Sequence, residues 1–211
     1  MQKSSRKYMP TLVFIALNVA FYVYTSIIGG DFINTNYSVI AYYGQVNYNV
    51  MYQGWYWQLI TSMFVHVNIV HIFGNMFFLL IFGLRAEGLF SIGEYVSIYM
   101  LGGLAGNLLS LLFGPTLIPS AGASGAIFSV FAACAIYVRR SVGQSIMGAL
   151  LYVFFLLFIS AAPNVNNLAH FGGLAVGLII GYALAASRKA KPAASHHYGY
   201  SYSTRILNES R

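Results

Sequence analysis

Charged residues are scarce in this chain, making up only 7% of its 211 positions against 58% for hydrophobic residues. A soluble domain of this length cannot cover its core with so little polar surface, and a mean hydropathy of +0.68 is typical of membrane proteins. The composition therefore excludes a soluble fold. It predicts an all-α, polytopic membrane protein.

Cysteine and intramembrane acids are also lacking. The single cysteine, Cys134, lies in an apolar run, so no disulfide framework exists and we expect a buried structural thiol. The four acids all lie outside the apolar runs, at Asp31, Glu87, Glu94 and Glu209. A metalloprotease would need a motif such as His-Glu-x-x-His together with an acid, and neither is present in the apolar runs. We predict no metal site and no cofactor.

Six apolar runs follow one another along the chain. They cover residues 10–28, 60–84, 95–113, 121–138, 146–159 and 166–186. A cleaved signal peptide competes as an interpretation of the first run, but no small-residue cleavage site follows it cleanly and five more runs come after it. We therefore predict one six-helix domain over 10–186, a basic segment at 1–9, and a basic, then polar tail at 187–211 that we expect to be disordered.

The eleven Lys and Arg residues all fall on one side of this six-span arrangement. Because basic residues concentrate in cytoplasmic loops, the pattern predicts cytoplasmic termini and places the long loop 29–57 on the outer face of the cell membrane. Aromatic residues at the end of that loop, such as Trp55 and Trp57, favour the membrane interface. Topology thus explains the net charge of +7, and no nucleic-acid partner is predicted.

A few polar side chains lie inside the predicted spans, where imidazole and amide groups are costly unless they have partners. They are His66, His71, Asn75 and His170, while Ser124 opens the fourth span between glycines. Counted along the helices to the nearest cytoplasmic arginine, His71, Ser124 and His170 lie roughly 21, 22 and 27 Å away, in the outer third of a ~30 Å core. Interhelical hydrogen bonding would also explain such residues, but it would not require matching depths.

The spacing within the second span separates its polar residues into two groups. His71 and Asn75 are four residues apart and share a helical face, whereas His66 and His71 diverge by about 140°. We therefore expect His71 and Asn75 to act on one point. His66 is expected to hold the loop or its own helix in place.

A serine and a histidine at matching depth predict nucleophilic catalysis, in which the imidazole removes the hydroxyl proton and later protonates the leaving amine. Because no acid lies at the depth of Ser124, the catalytic unit would be a dyad. Donors for the developing oxyanion would be Asn75, the imidazole of His71, and the amide of Ser124 near its helix N-terminus.

Three motifs resemble those of the rhomboids, a family of intramembrane serine proteases. They are His66-x4-His71-x3-Asn75, Gly122-Ala123-Ser124-Gly125 and Ala169-His170-x2-Gly173-x3-Gly177. The resemblance covers about residues 10–186 and implies that Ser124 is the nucleophile and His170 the general base and acid. It also implies that His71 and Asn75 line the oxyanion hole and that His66 is structural.

Supporting residues can be carried over in the same way. Gly173 and Gly177 resemble the small-residue face that lets span six approach span four. Phe128 stands where some members have a tyrosine stacked on the catalytic imidazole, so we expect stacking without the hydroxyl. Where many members have Trp-Arg, this chain has Trp57-Gln58, which removes a cation that would help to anchor the first loop.

The resemblance implies an endopeptidase that cleaves transmembrane segments of membrane proteins within the lipid bilayer. Substrate would reach a cavity open to the outside by passing spans two and five, with small residues preferred at the cut. A transporter is disfavoured because the spans include no paired half-helices. A catalytically silent rhomboid-like binding or chaperone protein would share the fold, but such relatives usually lack the serine or the histidine.

Overall fold

The structure, a computed structural model, describes residues 9–160 and 165–188. Over these residues the chain forms nine helices. They are α1 (Met9–Gly29), α2 (Tyr37–Tyr43), α3 (Asn47–Gln53), α4 (Gln58–Thr61), α5 (Ile69–Leu89), α6 (Ile92–Phe113), α7 (Ser124–Ser141), α8 (Met147–Ser160) and α9 (Asn167–Ser187). Within the same ranges the only β-structure is a pair of isolated bridges, so the predicted all-α fold is confirmed. The predicted N-terminal segment and disordered tail lie almost entirely outside the described residues.

Within the described ranges, four helices are long and apolar enough to cross a membrane. They are Pro10–Gly29, Ile69–Leu89, Ile92–Phe113 and Asn167–Ser187. The predicted fourth span corresponds to α7, which has 18 residues and carries Arg139 and Arg140 in its last turn. The predicted fifth span corresponds to α8, which has only 14 residues. Because α7 is largely buried among other helices, it does not need an apolar surface facing lipid. The polytopic membrane fold stands, and the count of six spans remains a prediction.

The second span begins later than predicted. The apolar run from Ile60 to Leu84 reads as one helix in sequence, but α5 starts only at Ile69. Asn68 caps it, because its side-chain oxygen accepts a hydrogen bond from the backbone N–H of His71 at 2.8 Å. His66 therefore lies in the non-helical segment before α5, and the helical angle of 140° between His66 and His71 does not apply.

Helices α6, α7 and α9 form the centre of the bundle and approach one another backbone to backbone. A Cβ atom added at a glycine of α9 would collide with a carbonyl oxygen of α7. The collisions pair Gly173 with Gly125, Gly177 with Ser129, and Gly181 with Ala133. Glycine at these positions is therefore what permits the close approach of α9 to α7.

The first loop is held by buried side-chain hydrogen bonds. Gln58 is fully buried, and its side-chain oxygen accepts from the backbone N–H of Val46 at 2.9 Å. Its Nε2 donates to the carbonyls of Ala41 and Tyr42 at 2.9 and 3.0 Å. The neutral amide of Gln58 therefore anchors the first loop, although it lacks the positive charge of the arginine that many rhomboids have at this position.

The opposite end of the bundle is joined by Arg188, just after α9. Its guanidinium donates to the carbonyl of Leu89 at 2.8 Å, to the hydroxyl of Tyr137 at 2.9 Å, and to the carboxylate of Glu94. The hydrogen bonds to Tyr137 and Glu94 raise the pKa of Arg188 further, so the residue stays charged. This contact holds the ends of α5, α7 and α9 to the start of α6.

Candidate active site

Ser124 is the first residue of α7, and the segment before it is shaped by Gly122. The backbone of Gly122 has φ +136°, which side-chain-bearing residues rarely adopt, and its N–H donates to the carbonyl of Ser62 at 2.9 Å. This fixed turn delivers Ser124 to the N-terminus of α7. Its backbone N–H there has no partner within the helix, as is usual for the first turn.

His170 lies on the first turn of α9 and meets Ser124. Its Nε2 is 2.7 Å from the hydroxyl oxygen of Ser124, a hydrogen-bond distance. The ring of Phe128 stacks on the imidazole with 4.3 Å between centroids and 18° between planes. The glycine-lined approach of α9 to α7 makes this meeting possible, and Phe128 fixes the plane of the ring.

The other imidazole nitrogen, Nδ1 of His170, is buried and has no hydrogen-bond partner among the described residues. The described acids are engaged elsewhere: Asp31 with the N–H groups of Ile33 and Asn34, Glu87 with the N–H of Thr11, and Glu94 with Arg188. The two backbone bonds also lower the pKa of Asp31. The part of the chain that the structure describes therefore offers His170 no carboxylate, and the geometry is that of a dyad.

His71 and Asn75 of α5 face Gly122 across the site. A Cβ added at Gly122 would lie 2.9 Å from Cε1 of His71, 3.0 Å from its Nε2 and 3.7 Å from Nδ2 of Asn75. The Asn75 amide nitrogen is buried and has no partner among the described residues. Leaving such a donor unpaired normally costs free energy. An acceptor bound in the cavity would give the Asn75 amide a hydrogen-bond partner.

His66 is close to the site but does not line its cavity. Its ring is fully buried and stands edge-on to His71, with 5.1 Å between centroids. Its backbone carbonyl accepts a hydrogen bond from the hydroxyl of Thr35 at 2.7 Å, which ties the first loop to the start of α5. These contacts are those of a residue that holds the loop.

A cavity of about 530 Å³ opens at the dyad, large enough for several side chains. Its wall includes His71, Asn75, Ser124 and His170, and it continues along α5 to Phe82, about 16 Å further down the helix.

The upper part of the cavity wall carries polar groups that the sequence analysis did not single out. These are Asn107, Ser120 and Asn166. Asn166 could have been found as a helix cap, since asparagine directly precedes the apolar run of α9.

Comparison with known proteins identifies one family to which the chain is similar. The family described as "Rhomboid domain" matches residues 53–187. Rhomboid protease GluP of Bacillus subtilis is 32% identical over 182 residues, which cover 82% of this chain and 34% of that protein. RHOMBOID-like protein 6, mitochondrial, of Arabidopsis thaliana is 35% identical over 160 residues, or 72% of this chain and 52% of that protein. RHOMBOID-like protein 2 of the same plant is 34% identical over 140 residues, or 61% of this chain and 42% of that protein.

The chain spans between a third and about half of the length of these relatives. The family match nevertheless covers more than half of this chain, and it includes the helices that carry Ser124 and His170. The chain therefore belongs to the rhomboid family of intramembrane proteases.

Proposed function

We propose that this chain is a serine endopeptidase that cleaves transmembrane segments of other membrane proteins with Ser124 as nucleophile and His170 as general base. The observation that carries the proposal is the 2.7 Å contact between Nε2 of His170 and the Ser124 hydroxyl. A nucleophile and its base at hydrogen-bond distance, beside unpaired donors, form the arrangement that acyl transfer requires.

The proposed reaction follows from this geometry. Ser124 Oγ attacks the carbonyl carbon of the scissile peptide bond while Nε2 of His170 takes the hydroxyl proton, so Nδ1 must carry the other imidazole hydrogen. The oxyanion accepts hydrogen bonds from the Asn75 amide, the His71 imidazole and the Ser124 N–H. His170 then protonates the leaving amine, and the C–N bond breaks. Water attacks the resulting acyl-enzyme with His170 again as base, which releases the acid and restores the serine.

The substrate is proposed to be a transmembrane segment that arrives from the bilayer between α5 and α8. One side of α8 packs on the central helices, where Val153 is buried against Phe128 and Leu174. The cavity continues along α5 to Phe78, which is exposed, and to Phe82, which is partly buried against the core, so its lower part suits apolar side chains. A small residue at the cut is proposed from the resemblance to the rhomboids.

The orientation is proposed from charge. The basic residues that the structure describes lie at or near the C-terminal ends of α5, α7 and α9, at Arg85, Arg139, Arg140 and Arg188. Positive-inside topology then gives cytoplasmic termini and a dyad near the outer face of the cell membrane. One relative is named as mitochondrial, so the membrane itself is best tested directly. Reporter fusions at the termini and in loop 29–57 should report opposite sides of the membrane. Reporters that give the same side would contradict this topology.

The proposal is tested by comparing the purified wild-type protein with Ser124→Ala on a detergent-solubilised transmembrane substrate. Wild type should cut it and Ser124→Ala should not, with both proteins melting at nearly the same temperature. Ser129→Ala is the matched control, because this serine lies on the same helix but donates to the carbonyl of Ile98 at 2.9 Å, away from the cavity. Failure of the wild type to cut any transmembrane substrate would favour a catalytically silent rhomboid-like protein.

A further inference from the structure

Asn166 joins three parts of the site through one side chain. Its Oδ1 accepts from the N–H of Ala169 at 3.0 Å and so caps α9. Its Nδ2 donates to the hydroxyls of Ser110 and Ser120 at 2.7 and 2.6 Å. The amide therefore uses both of its N–H hydrogens and its oxygen, and it lies in the cavity wall one helical turn before His170.

The two serines belong to elements that are themselves fixed. Ser110 lies on the last turn of α6, and its carbonyl accepts from Nδ2 of Asn47 at 2.8 Å. Ser120 belongs to the segment that leads to Ser124, and it exchanges two backbone hydrogen bonds with Gln45, both at 2.8 Å. Asn166 thus links the start of α9 to α6 and to the segment that positions the nucleophile.

This link matters because the interface between α9 and α7 is lined by glycine. Close backbone contact at Gly173 and Gly177 brings the helices together, but an interface of small residues has few side chains that interlock against sliding or rotation. A shift of α9 along α7 would move the imidazole of His170 directly. Besides the contact between His170 and Ser124 itself, the amide of Asn166 makes the side-chain hydrogen bonds that the described residues show between this turn and other elements.

We infer that Asn166 is a positioning residue that sets the distance between His170 and Ser124 through its bridge to Ser110 and Ser120. The inference rests on the proposed function, since it assigns Asn166 a part in the same reaction. A misplacement of about 1 Å at reacting groups can slow a reaction on the order of 10²-fold. Loss of the bridge should therefore reduce the rate of chemistry more than the binding of substrate.

Substitutions at Asn166 can separate the bridge from the cap. Asn166→Ser keeps an oxygen that can cap α9 but is too short to span to both serines. Ser120→Ala removes one arm without touching α9. Asn167→Ala is the matched control, because this neighbouring asparagine is exposed and does not line the cavity.

The experiment measures the rate of labelling by a fluorophosphonate per active site, together with kcat and KM on a small ester, for the full chain in detergent. We expect Asn166→Ser to be slowed at least about tenfold in labelling and in kcat, with KM little changed. Ser120→Ala should be slowed less, and Asn167→Ala should stay close to wild type. Ser120→Ala keeps the test decisive if Asn166→Ser does not fold.

The possible failures are distinguishable. If wild type labels but Asn166→Ser and Ser120→Ala label at the wild-type rate per active site, the positioning role is wrong while the proposed function stands. If Asn167→Ala is slowed as much as Asn166→Ser, a general disturbance at the start of α9 explains the loss and the inference is overturned. A wild-type protein that does not label at all overturns the proposed function itself, and the inference with it.

Discussion

Replacing Gly122 by alanine places a methyl group in the proposed oxyanion hole and leaves the side chains of Ser124 and His170 unchanged. The added methyl group would lie 2.9 and 3.0 Å from Cε1 and Nε2 of His71, well inside the usual 3.5–4.0 Å separation of nonbonded carbon atoms. Its distance to Nδ2 of Asn75 would be 3.7 Å, which is ordinary van der Waals contact. In addition, φ +136° at Gly122 is unfavourable for alanine, at a cost on the order of 1–3 kcal/mol in stability.

The expected effect on rate follows from the donors that the methyl group displaces. Loss of one oxyanion donor typically lowers kcat by about 10² to 10³, which corresponds to roughly 3–4 kcal/mol of transition-state stabilisation. Gly122→Ala should therefore reduce kcat by at least about 10², with KM changed much less. The reason is that the oxyanion forms only in the transition state.

The assay is steady-state cleavage of a transmembrane substrate by the purified variant, with fluorophosphonate labelling to count active sites. Gly74→Ala is the matched control, because Gly74 lines the same cavity but a Cβ there would meet no atom within 4 Å. Gly74→Ala should cleave at nearly the wild-type rate. If Gly122→Ala is as active as Gly74→Ala, the oxyanion hole does not lie between Gly122, His71 and Asn75.

Three further substitutions test other parts of the structure. Asn75→Ala should lower kcat by about 10² to 10³, and a change in KM alone would instead assign Asn75 to ground-state binding. Gln58→Leu should lower the free energy of unfolding by at least about 2 kcal/mol, because three backbone groups of the first loop lose their partner. An unchanged melting temperature would show that other contacts hold the loop. Gly177→Ala should lower the melting temperature, because its Cβ would collide with the Ser129 carbonyl. Gly88→Ala should leave the melting temperature unchanged, because a Cβ there would meet no atom within 4 Å. Equal melting temperatures of the two variants would argue against the close approach of α9 to α7.

The sequence was sufficient to predict which helices meet at the site. Polar residues in apolar spans are few, and their distances from the basic residues place Ser124 and His170 at one level. The expected stacking of Phe128 on His170 is present in the structure, because a residue four positions after Ser124 lies on the same helical face. The shared level could be predicted because helical rise and bilayer thickness are simple geometric constraints, whereas the stacking was expected from the resemblance to the rhomboids.

Contacts that depend on irregular backbone could not be predicted in the same way. The predicted start of α5 was wrong because hydrophobic residues continue through 60–68, whereas the N-terminus of the helix is set by the cap at Asn68. Gln58 and Asn166 each join segments that are separated in sequence through a few side-chain hydrogen bonds. No periodic pattern reports such contacts, so they require coordinates.

Mapping of the fluorophosphonate adduct by mass spectrometry tests the central claim most directly. In wild-type protein the adduct should be found on the peptide that contains Ser124, and it should be lost in His170→Ala, because without the base the hydroxyl is not activated. An adduct on a different serine, or equal labelling of Ser124 in His170→Ala, would contradict the assignment of these two residues as a catalytic dyad.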